Sequence, residues 1–214
     1  MTEDDARRWI ADRVPRETFD LIEQFVALVV AEAGQQNLIS AATIETIWNR
    51  HVVDSAQLLD LAPPAGRWID LGAGAGFPGM VVGLVGRHQV SLAESRAKRI
   101  AFLREAIDTS GMGDRIDVLP GRIEMLPAEP FDVISARAFA PLDRLFSSAL
   151  HLSSRRTRWV LPKGRGAQAE LDAVRGSWQG DFSIVPSITD ADAAIIVAEN
   201  VRPAVGHRKT GSRR

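Results

Sequence analysis

The chain has 214 residues, of which 45% are hydrophobic and 25% are charged, and its formal net charge is −1. These values suit a globular protein with one main domain, and they exclude a strongly basic or low-complexity chain. No apolar run approaches the ~20 residues of a membrane-spanning helix. The absence of cysteine excludes disulfides, thiolate-metal sites and cysteine nucleophiles. Since the N-terminus also lacks the apolar centre of a signal peptide, we expect a cytoplasmic protein.

The first third of the chain predicts helices. Apolar residues recur at helical spacing over 17–34 and again over 43–61, and Gly34 is placed to end the first helix. The sequence APPAGR, residues 62–67, then breaks the pattern. We therefore predict an N-terminal helical extension over 1–62.

Short apolar runs then alternate with helical patterns, which is typical of a doubly wound α/β fold with a parallel sheet. Five of these runs read as strands, at 67–71, 89–94, 116–121, 131–136 and 157–161. Two further runs, 182–187 and 193–201, are separated by only a short polar segment, so they predict a closing antiparallel pair. This main domain is predicted over 63–203, followed by a basic, disordered tail over 204–214.

A glycine-rich turn is predicted where the first strand meets the following helix. The sequence DLGAGAGFPG begins at Asp70 and places Gly72, Gly74 and Gly76 in this turn. Glycine permits positive φ and lets the backbone approach a ligand closely. Glu94 ends the second strand, where a carboxylate can accept the hydroxyls of a ribose. The pattern therefore predicts a nucleotide-like ligand, the alternative being a tight turn without one.

The spacing of this turn favours S-adenosylmethionine over NAD. Dinucleotide-binding turns prefer Gly-x-Gly-x-x-Gly because the helix N-terminus must meet a pyrophosphate. Here the third glycine, Gly76, comes one residue early, and Asp70 stands beside the turn. A carboxylate repels a pyrophosphate but attracts the ammonium of a methionine moiety.

Further candidate residues follow the third, fourth and fifth strands. Ile123 is placed to pack on an adenine with Glu124 addressing its amine, although Glu124 also fits a solvated loop residue. Arg137 ends the fourth strand at the carboxyl edge of the sheet, where it would hold a phosphate, the cofactor carboxylate or a base edge, or else form an ion pair with an acid. With Arg122 and Lys163 it predicts a basic rim for an anionic substrate.

His51 lies on the apolar side of the second predicted helix, and a buried, hydrogen-bonded histidine is the favoured interpretation. The remaining histidines have no other potential metal ligands near them in the sequence, so no metal site is predicted.

The absent residues narrow the chemistry of a methyltransferase. Methylation of pyrimidine C5 normally needs a cysteine nucleophile, and the chain has none. Methylation of exocyclic amines typically uses an Asn/Asp-Pro-Pro-aromatic motif after the fourth strand, where this chain has ISARAFAPL. A purine N7 is a lone pair without a proton, so alignment and electrostatics suffice for direct transfer.

The order of seven motifs resembles a known family. They are NLIS, RHVVDS, DLGAGAGFPG, ESRAKRIAFL, GRIEML, ISARAFAPL and LPKG, between residues 37 and 166. Together they resemble the bacterial small-subunit rRNA methyltransferase G family, also called glucose-inhibited division protein B. The resemblance implies a Rossmann-like class I S-adenosylmethionine-dependent fold, with a mostly parallel seven-stranded sheet and a final antiparallel strand. It also implies methyl transfer to N7 of a guanine in 16S rRNA near the decoding site.

The resemblance also implies roles for individual residues. Arg137 is the predicted catalytic residue, and Asp54 matches the same helical motif as His51, without a role that the sequence defines. The predicted cofactor-binding residues are Asp70, Gly72, Gly74, Gly76, Phe77, Glu94, Ile123, Glu124 and Arg137. The predicted RNA contacts are His51, Arg122 and Lys163.

The expected partner is 16S rRNA, the small ribosomal subunit or its precursor particle, bound by a monomer without membrane or metal. Two alternatives stay open from the sequence. One is an S-adenosylmethionine methyltransferase acting on another RNA or a small molecule, and the other is a catalytically silent nucleotide-binding module.

Overall fold

The structure is a computed structural model that describes residues 1–204. The predicted basic tail, apart from residue 204, lies outside the described residues. No helix in the described part of the chain is both long enough and apolar enough to cross a bilayer.

Helices form the N-terminal part of the chain. Helix α1 (Glu3–Ala11) begins at a capping box in which Thr2 and Asp5 exchange hydrogen bonds. It was not among the predicted helices, because its charged residues mask a short apolar face. Helix α2 (Arg16–Ala33) ends at Gly34, as predicted.

The second predicted helix is a composite. A π-helical turn (Trp48–Val53) runs into a short α-helix, α3 (Asp54–Ala56), and a 3-10 turn (Gln57–Leu61). We call residues 48–61 the composite helix. A separate 3-10 turn, Ala41–Thr43, precedes it.

Seven strands form one sheet, in the order β3-β2-β1-β4-β5-β7-β6. The strands are β1 (Arg67–Leu71), β2 (Gln89–Glu94), β3 (Ile116–Pro120), β4 (Val133–Ser135), β5 (Arg158–Lys163), β6 (Trp178–Pro186) and β7 (Ala194–Pro203). Strands β1 to β5 are parallel, whereas β7 lies antiparallel between β5 and β6. This topology confirms the predicted fold class, including the closing antiparallel pair.

Helices cover both faces of the sheet. They are α4 (Gly79–Val85), α5 (Ala97–Ser110), α6 (Leu142–Ala149) and α7 (Ala167–Val174), with 3-10 turns at Ile123–Met125 and Leu150–Leu152. Side chains of α1, α2 and the composite helix share one apolar cluster with α4, α5 and Trp68. Side chains of α6 and α7 form a second cluster around Trp159. The helical extension is thus packed on one face of the sheet, and the boundary near residue 62 stays a prediction.

Candidate active site

The candidate site lies at the carboxyl edge of the sheet, where the strand order reverses between β1 and β4. Doubly wound folds bind ligands at such a switch point, because the loops on its two sides diverge and leave a crevice. Two cavities open here. They meet at Ala138 and Phe139, which line both.

The glycine-loop cavity has a volume of about 340 Å³. It is bounded by the loops that follow β1, β2, β3 and β4, with one arginine from α6. Its lining residues are Gly72, Ala93, Glu94, Ser95, Arg96, Arg99, Gly121, Arg122, Ile123, Glu124, Ala138, Phe139 and Arg144.

The Arg137 cavity is larger, at about 660 Å³. It lies between the composite helix, the segment after β4 and the connection from β6 to β7. Its lining includes the polar and charged side chains of Thr43, Arg50, His51, Asp54, Arg137, Lys163, Glu170 and Thr189, together with the ring of Phe139.

The predicted glycine turn adopts the left-handed backbone that its sequence indicated. The φ angles of Gly72, Gly74 and Gly76 are +70°, +58° and +91°. Gly72 lines the glycine-loop cavity, whereas a Cβ on Gly76 would lie 2.7 Å from Met80 Cγ. Gly76 therefore serves close packing against α4, and the structure does not place it at a ligand surface.

Glu94 lies in the glycine-loop cavity with its carboxylate oriented by three backbone N–H groups. Ser95 and Arg96 donate to Oε1 at 2.7 and 2.9 Å, and Gly74 donates to Oε2 at 3.2 Å. Gly74 thus helps to orient the Glu94 carboxylate through its backbone N–H. Each carboxylate oxygen accepts about two hydrogen bonds, so Oε2 retains a free acceptor position. The nearby Arg99 guanidinium is 3.7 Å from Oε2.

Asp70 is not at the surface of either cavity, contrary to its predicted contact with a methionine ammonium. Its Oδ2 accepts the N–H of Gly79 at 3.0 Å, and its Oδ1 accepts the hydroxyl of Ser135 at 2.8 Å. Burial raises its pKa to about 6, against the effect of these two hydrogen bonds. The side chain of Asp70 points into the protein, away from the cavities. Its two hydrogen bonds connect β1 to the start of α4 and to the end of β4.

Phe77 also lies outside the glycine-loop cavity, contrary to expectation. Its ring is buried against Phe25 and stacks on His51, with ring centroids 5.1 Å apart in each pair. The Arg137 guanidinium lies 5.5 Å from the centre of the Phe77 ring. Phe77 therefore forms part of the support beneath the Arg137 cavity.

The residues after β3 reach the glycine-loop cavity as predicted. Ile123 is buried and Glu124 is exposed, and both line it. Arg122 lines the same cavity, 3.7 Å from the Glu124 carboxylate. Arg122 is thus separate from Lys163, which lines the Arg137 cavity. The predicted cations border two neighbouring cavities that share Ala138 and Phe139, rather than one common rim.

Arg137 lines the larger cavity and not the glycine-loop cavity, and its predicted contact with the cofactor stays a prediction. Its Nη1 donates to the carbonyl of Arg50 at 3.2 Å and lies 3.8 Å from Asp54 Oδ2. Burial lowers its pKa, while Asp54 and Asp70 oppose the shift. The ion pair with an acid, which the sequence left open, is present, and the guanidinium has further N–H donors beyond Nη1.

His51 lines the Arg137 cavity and is buried and hydrogen-bonded, as its sequence position favoured. Its Nε2 lies 3.0 Å from Thr43 Oγ1, and its Nδ1 has no hydrogen-bond partner in the described part of the chain. Burial, with the charges of Arg137 and Arg50, lowers the pKa of His51 to about 3. The imidazole is therefore neutral near pH 7.

Lys163 is already paired inside the Arg137 cavity. Its ammonium donates to Glu170 Oε2 at 2.8 Å and to the Ala140 carbonyl at 3.2 Å, and its side chain is 12% exposed. A phosphate contact from Lys163 would require it to leave Glu170 or to share its donors. Its assignment as an RNA contact stays a prediction.

Several lining residues were missed from the sequence. Phe139 is 38% exposed, and its ring lies 2.8 Å from where a Cβ on Gly72 would be, so it covers the glycine turn. Ala138, just before it, has a φ of +49°. Arg96, which follows β2, and Arg144 on α6 add charge to the rim. Ala138 and Phe139 lie in the motif ISARAFAPL and Arg96 lies in ESRAKRIAFL, whereas no motif contains Arg144.

Comparison with known proteins settles the family. Residues 18–195 match the family described as rRNA small subunit methyltransferase G. The chain belongs to that family. A relative named ribosomal RNA small subunit methyltransferase G, from Rhizorhabdus wittichii, is 56% identical over 95% of both chains. A relative of the same name from Zymomonas mobilis is 41% identical over 100% of both.

Solved structures share the fold. MtNAS in complex with S-adenosylmethionine aligns with a TM-score of 0.59 at 20% identity, covering 84% of this chain and 74% of that one. The glycopeptide N-methyltransferase MtfA with S-adenosylhomocysteine aligns with a TM-score of 0.57 at 13% identity, covering 70% and 89%. Membership of the family confirms the predicted enzyme class, an S-adenosylmethionine-dependent rRNA methyltransferase, over a silent nucleotide-binding module.

Proposed function

We propose that this chain transfers a methyl group from S-adenosylmethionine to N7 of a guanine in 16S rRNA. The observation that carries the proposal is the pair of cavities that meet at Phe139, at the switch point of the sheet. One cavity takes the cofactor and the other takes the target nucleotide. Their junction is where the methyl group passes between them.

The residues of the glycine-loop cavity fit an adenosine-containing cofactor. Glu94 offers a buried, oriented carboxylate with acceptor capacity left for a ribose hydroxyl. Ile123 supplies an apolar surface for a flat base, and Glu124 borders it. Gly72 and Gly121 bring bare backbone to the cavity, both with positive φ. The bound cofactor supplies an electrophilic methyl group.

The chain's own contribution is positioning. Guanine N7 carries a lone pair and no proton, so no general base is needed at the reacting atom. Arg137 contacts the target nucleotide from the floor of its cavity, where Asp54 and the Arg50 carbonyl hold the guanidinium. Holding the two reacting atoms in line lowers the entropic part of the barrier. Phe139 narrows the opening between the cavities and keeps water from it.

The RNA backbone is bound by the basic side chains around the two openings. Arg122, Arg96 and Arg144 border the glycine-loop cavity, and all three are exposed. Arg50 and Lys163 border the other cavity. Cations around a nucleotide-sized opening bind the phosphates on either side of an extruded nucleotide.

We further propose that the enzyme acts as a cytoplasmic monomer, without a metal ion. In the described residues no group of three or more histidine or acidic side chains is arranged to hold a metal. The N-terminal helices provide the composite helix, and so one wall of the substrate cavity.

The decisive experiment maps methylated nucleotides in rRNA from cells with and without this protein. We expect one N7-methylguanosine to disappear from 16S rRNA when the protein is absent and to return with the wild-type gene. An unchanged methylation pattern contradicts the proposed target. Transfer to a different RNA would favour the alternative of another RNA substrate.

A further inference from the structure

The carboxylate of Asp54 is an unusual feature of the Arg137 cavity. Asp54 lies on the composite helix with its side chain 17% exposed, and it lines the cavity. Burial raises its pKa, while the charges of Arg137 and Arg50 and hydrogen bonds from Thr189 and Gln57 oppose the shift. Removing a carboxylate from water is costly, so it persists only where several partners compensate.

The partners of Asp54 are distributed unequally between its two oxygens. Thr189 Oγ1 and Gln57 Nε2 both donate to Oδ1 at 2.9 Å. Oδ2 faces Arg137 Nη1 at 3.8 Å, which is too long for a hydrogen bond. One oxygen is therefore saturated, and the other has acceptor capacity at the cavity.

This orientation is fixed by a second layer of hydrogen bonds. The backbone N–H of Ile188 donates to Gln57 Oε1 at 3.0 Å, which makes Nε2 the amide group that faces Asp54. Gln57 Nε2 also contacts Ser187 Oγ at 3.1 Å, and Ser187 Oγ lies 2.8 Å from Thr189 Oγ1. The connection between β6 and β7 thereby holds the carboxylate in one rotamer.

We propose that Asp54 selects guanine by accepting the N1–H of the target base on Oδ2, an inference that rests on the function proposed above. In guanine, N7 is on the five-membered ring and the N1–H is on the six-membered ring. A base that presents N7 to the glycine-loop cavity therefore directs its six-membered ring into the Arg137 cavity. Asp54 meets that ring there.

The chemistry of Oδ2 discriminates between the purines. Guanine presents N1–H and the N2 amino group, both donors, to a carboxylate. Adenine presents the lone pair of N1 at the same position, so its entry leaves a buried carboxylate facing another acceptor. A site built to accept a donor rejects a base that lacks it far more strongly than shape alone would.

The same contact favours the transition state. Methyl transfer to N7 gives the base a positive charge, which makes its N1–H a stronger donor. An oriented carboxylate at N1 therefore interacts more strongly with the charged base than with the neutral one, which accelerates transfer.

A role for Asp54 solely as the counter-ion of Arg137 makes a different prediction. Loss of a counter-ion would lower transfer to any base by the same factor. Loss of the guanine acceptor changes the preference between bases. The guanine-to-adenine preference is therefore the informative measurement.

The test measures kcat/KM for methyl transfer to 16S rRNA, free and reconstituted into small subunits, with guanine or adenine at the target nucleotide. In Asp54→Asn, Gln57 Nε2 keeps the amide oxygen at the Oδ1 position, so the amide nitrogen replaces Oδ2 and presents a donor. We expect transfer to guanine to fall about 10- to 100-fold. We expect the preference for guanine over adenine to fall by at least about tenfold, because the new donor suits adenine N1.

The control is Asp60→Asn, the same change at an exposed residue of the composite helix outside both cavities. It should retain the rate and the preference of the wild type. A folded Asp54→Asn variant that loses activity with an unchanged preference overturns the proposal, as does one that keeps full activity on guanine.

A second variant covers a failure of Asp54→Asn to fold. Thr189→Val keeps the carboxylate but removes a donor to Oδ1, and we expect transfer to guanine to fall about 3- to 10-fold with a reduced preference. Wild-type rates and preference in folded Thr189→Val would then overturn the proposal. If the wild-type protein transfers no methyl group to the guanine substrate, the proposed function itself fails, and this outcome is distinct from the others.

Discussion

The carboxylates of Asp70 and Asp54 both lie near the carboxyl edge of the sheet, but they differ in their hydrogen-bond partners and in their access to a cavity. Asp70 accepts the Gly79 N–H on one oxygen and the Ser135 hydroxyl on the other, and it is buried and lines neither cavity. Asp54 gives one oxygen to its neighbours and leaves Oδ2 beside Arg137. A buried acid is therefore assigned to structure or to binding by whether it lines a cavity, as Asp54 does and Asp70 does not.

The depressed pKa of His51 predicts a pH-dependent stability. Its pKa falls from 6.5 to about 3 on folding, so below pH 6.5 the unfolded chain binds a proton that the folded chain does not. The neutral, buried His51 therefore contributes fully to the free energy of unfolding above pH 6.5, and this contribution is lost as the pH falls toward 3. Between pH 7 and pH 5 we expect His51→Gln to lose about 2 kcal/mol less stability than the wild type. Urea denaturation at both pH values measures it.

The reference for this experiment is the wild type, unfolded in the same urea series at both pH values. An identical pH dependence in His51→Gln and the wild type would show that folding does not lower the pKa of His51.

The oriented carboxylate of Glu94 is expected to contribute to the affinity for the cofactor. Glu94→Gln removes the charge of the carboxylate that we assign to the ribose, while its backbone contacts are partly kept. We expect the affinity for S-adenosylmethionine, measured by calorimetry, to fall about 10- to 100-fold. Glu129→Gln, at an exposed residue outside both cavities, is the matched control. Wild-type affinity in a folded Glu94→Gln would remove Glu94 from the cofactor site.

At the scale of elements, α1 contacts the composite helix, which forms one wall of the Arg137 cavity. The backbone N–H groups of Trp48 and Asn49, at the start of that helix, donate to the carboxylate of Glu3 at 2.9 Å each. Arg7 of α1 lies over the Trp48 ring, 4.4 Å from its centre. A residue from the first helical turn of the chain thus caps the element that carries His51.

This cap predicts a stability effect far along the sequence. Glu3→Ala leaves two N–H groups without their acceptor, and we expect the free energy of unfolding to fall by about 1–3 kcal/mol. Asp4→Ala, one residue on and exposed, should change it by less than about 0.5 kcal/mol. Urea denaturation compares them. Equal effects of the two substitutions would contradict a specific cap.

At the scale of the whole molecule, positive charge is concentrated at one cavity although the protein as a whole is nearly neutral. The net charge is −1, yet four arginines border the glycine-loop cavity against two glutamates. Arg96 and Arg144 are exposed there, and the described residues give neither side chain an ion pair. A nearly neutral protein can therefore bind RNA through a local field at the site.

This local charge predicts a salt-dependent interaction. Binding to 16S rRNA should weaken as the salt concentration rises, because phosphate contacts release counterions. We expect the combined change Arg96→Ala and Arg144→Ala to weaken binding and to reduce the slope of log affinity against log salt by about 2. Filter binding across a salt series measures it. The control pair, Arg8→Ala and Arg16→Ala, is exposed on α1 and α2 and should leave the slope unchanged.

The sequence alone determined the fold class, the cofactor and the family. These depend on local patterns, namely apolar periodicity, the glycine turn before α4 and the acid that ends β2, and each acts over a few residues. The sequence could not show which side chains face a cavity. Asp70, Gly76 and Phe77 lie in or beside the glycine turn in the sequence, yet they line neither cavity, because a side chain's direction depends on what packs around it.

The tertiary structure decided which residues face which cavity. Arg137 lines the Arg137 cavity because Arg50 and Asp54, both on the composite helix, hold its guanidinium there. The orientation of Asp54 depends in turn on Thr189, which is 135 residues away along the chain. Contacts across such separations leave no periodic signal in one sequence, since only folding brings their partners together.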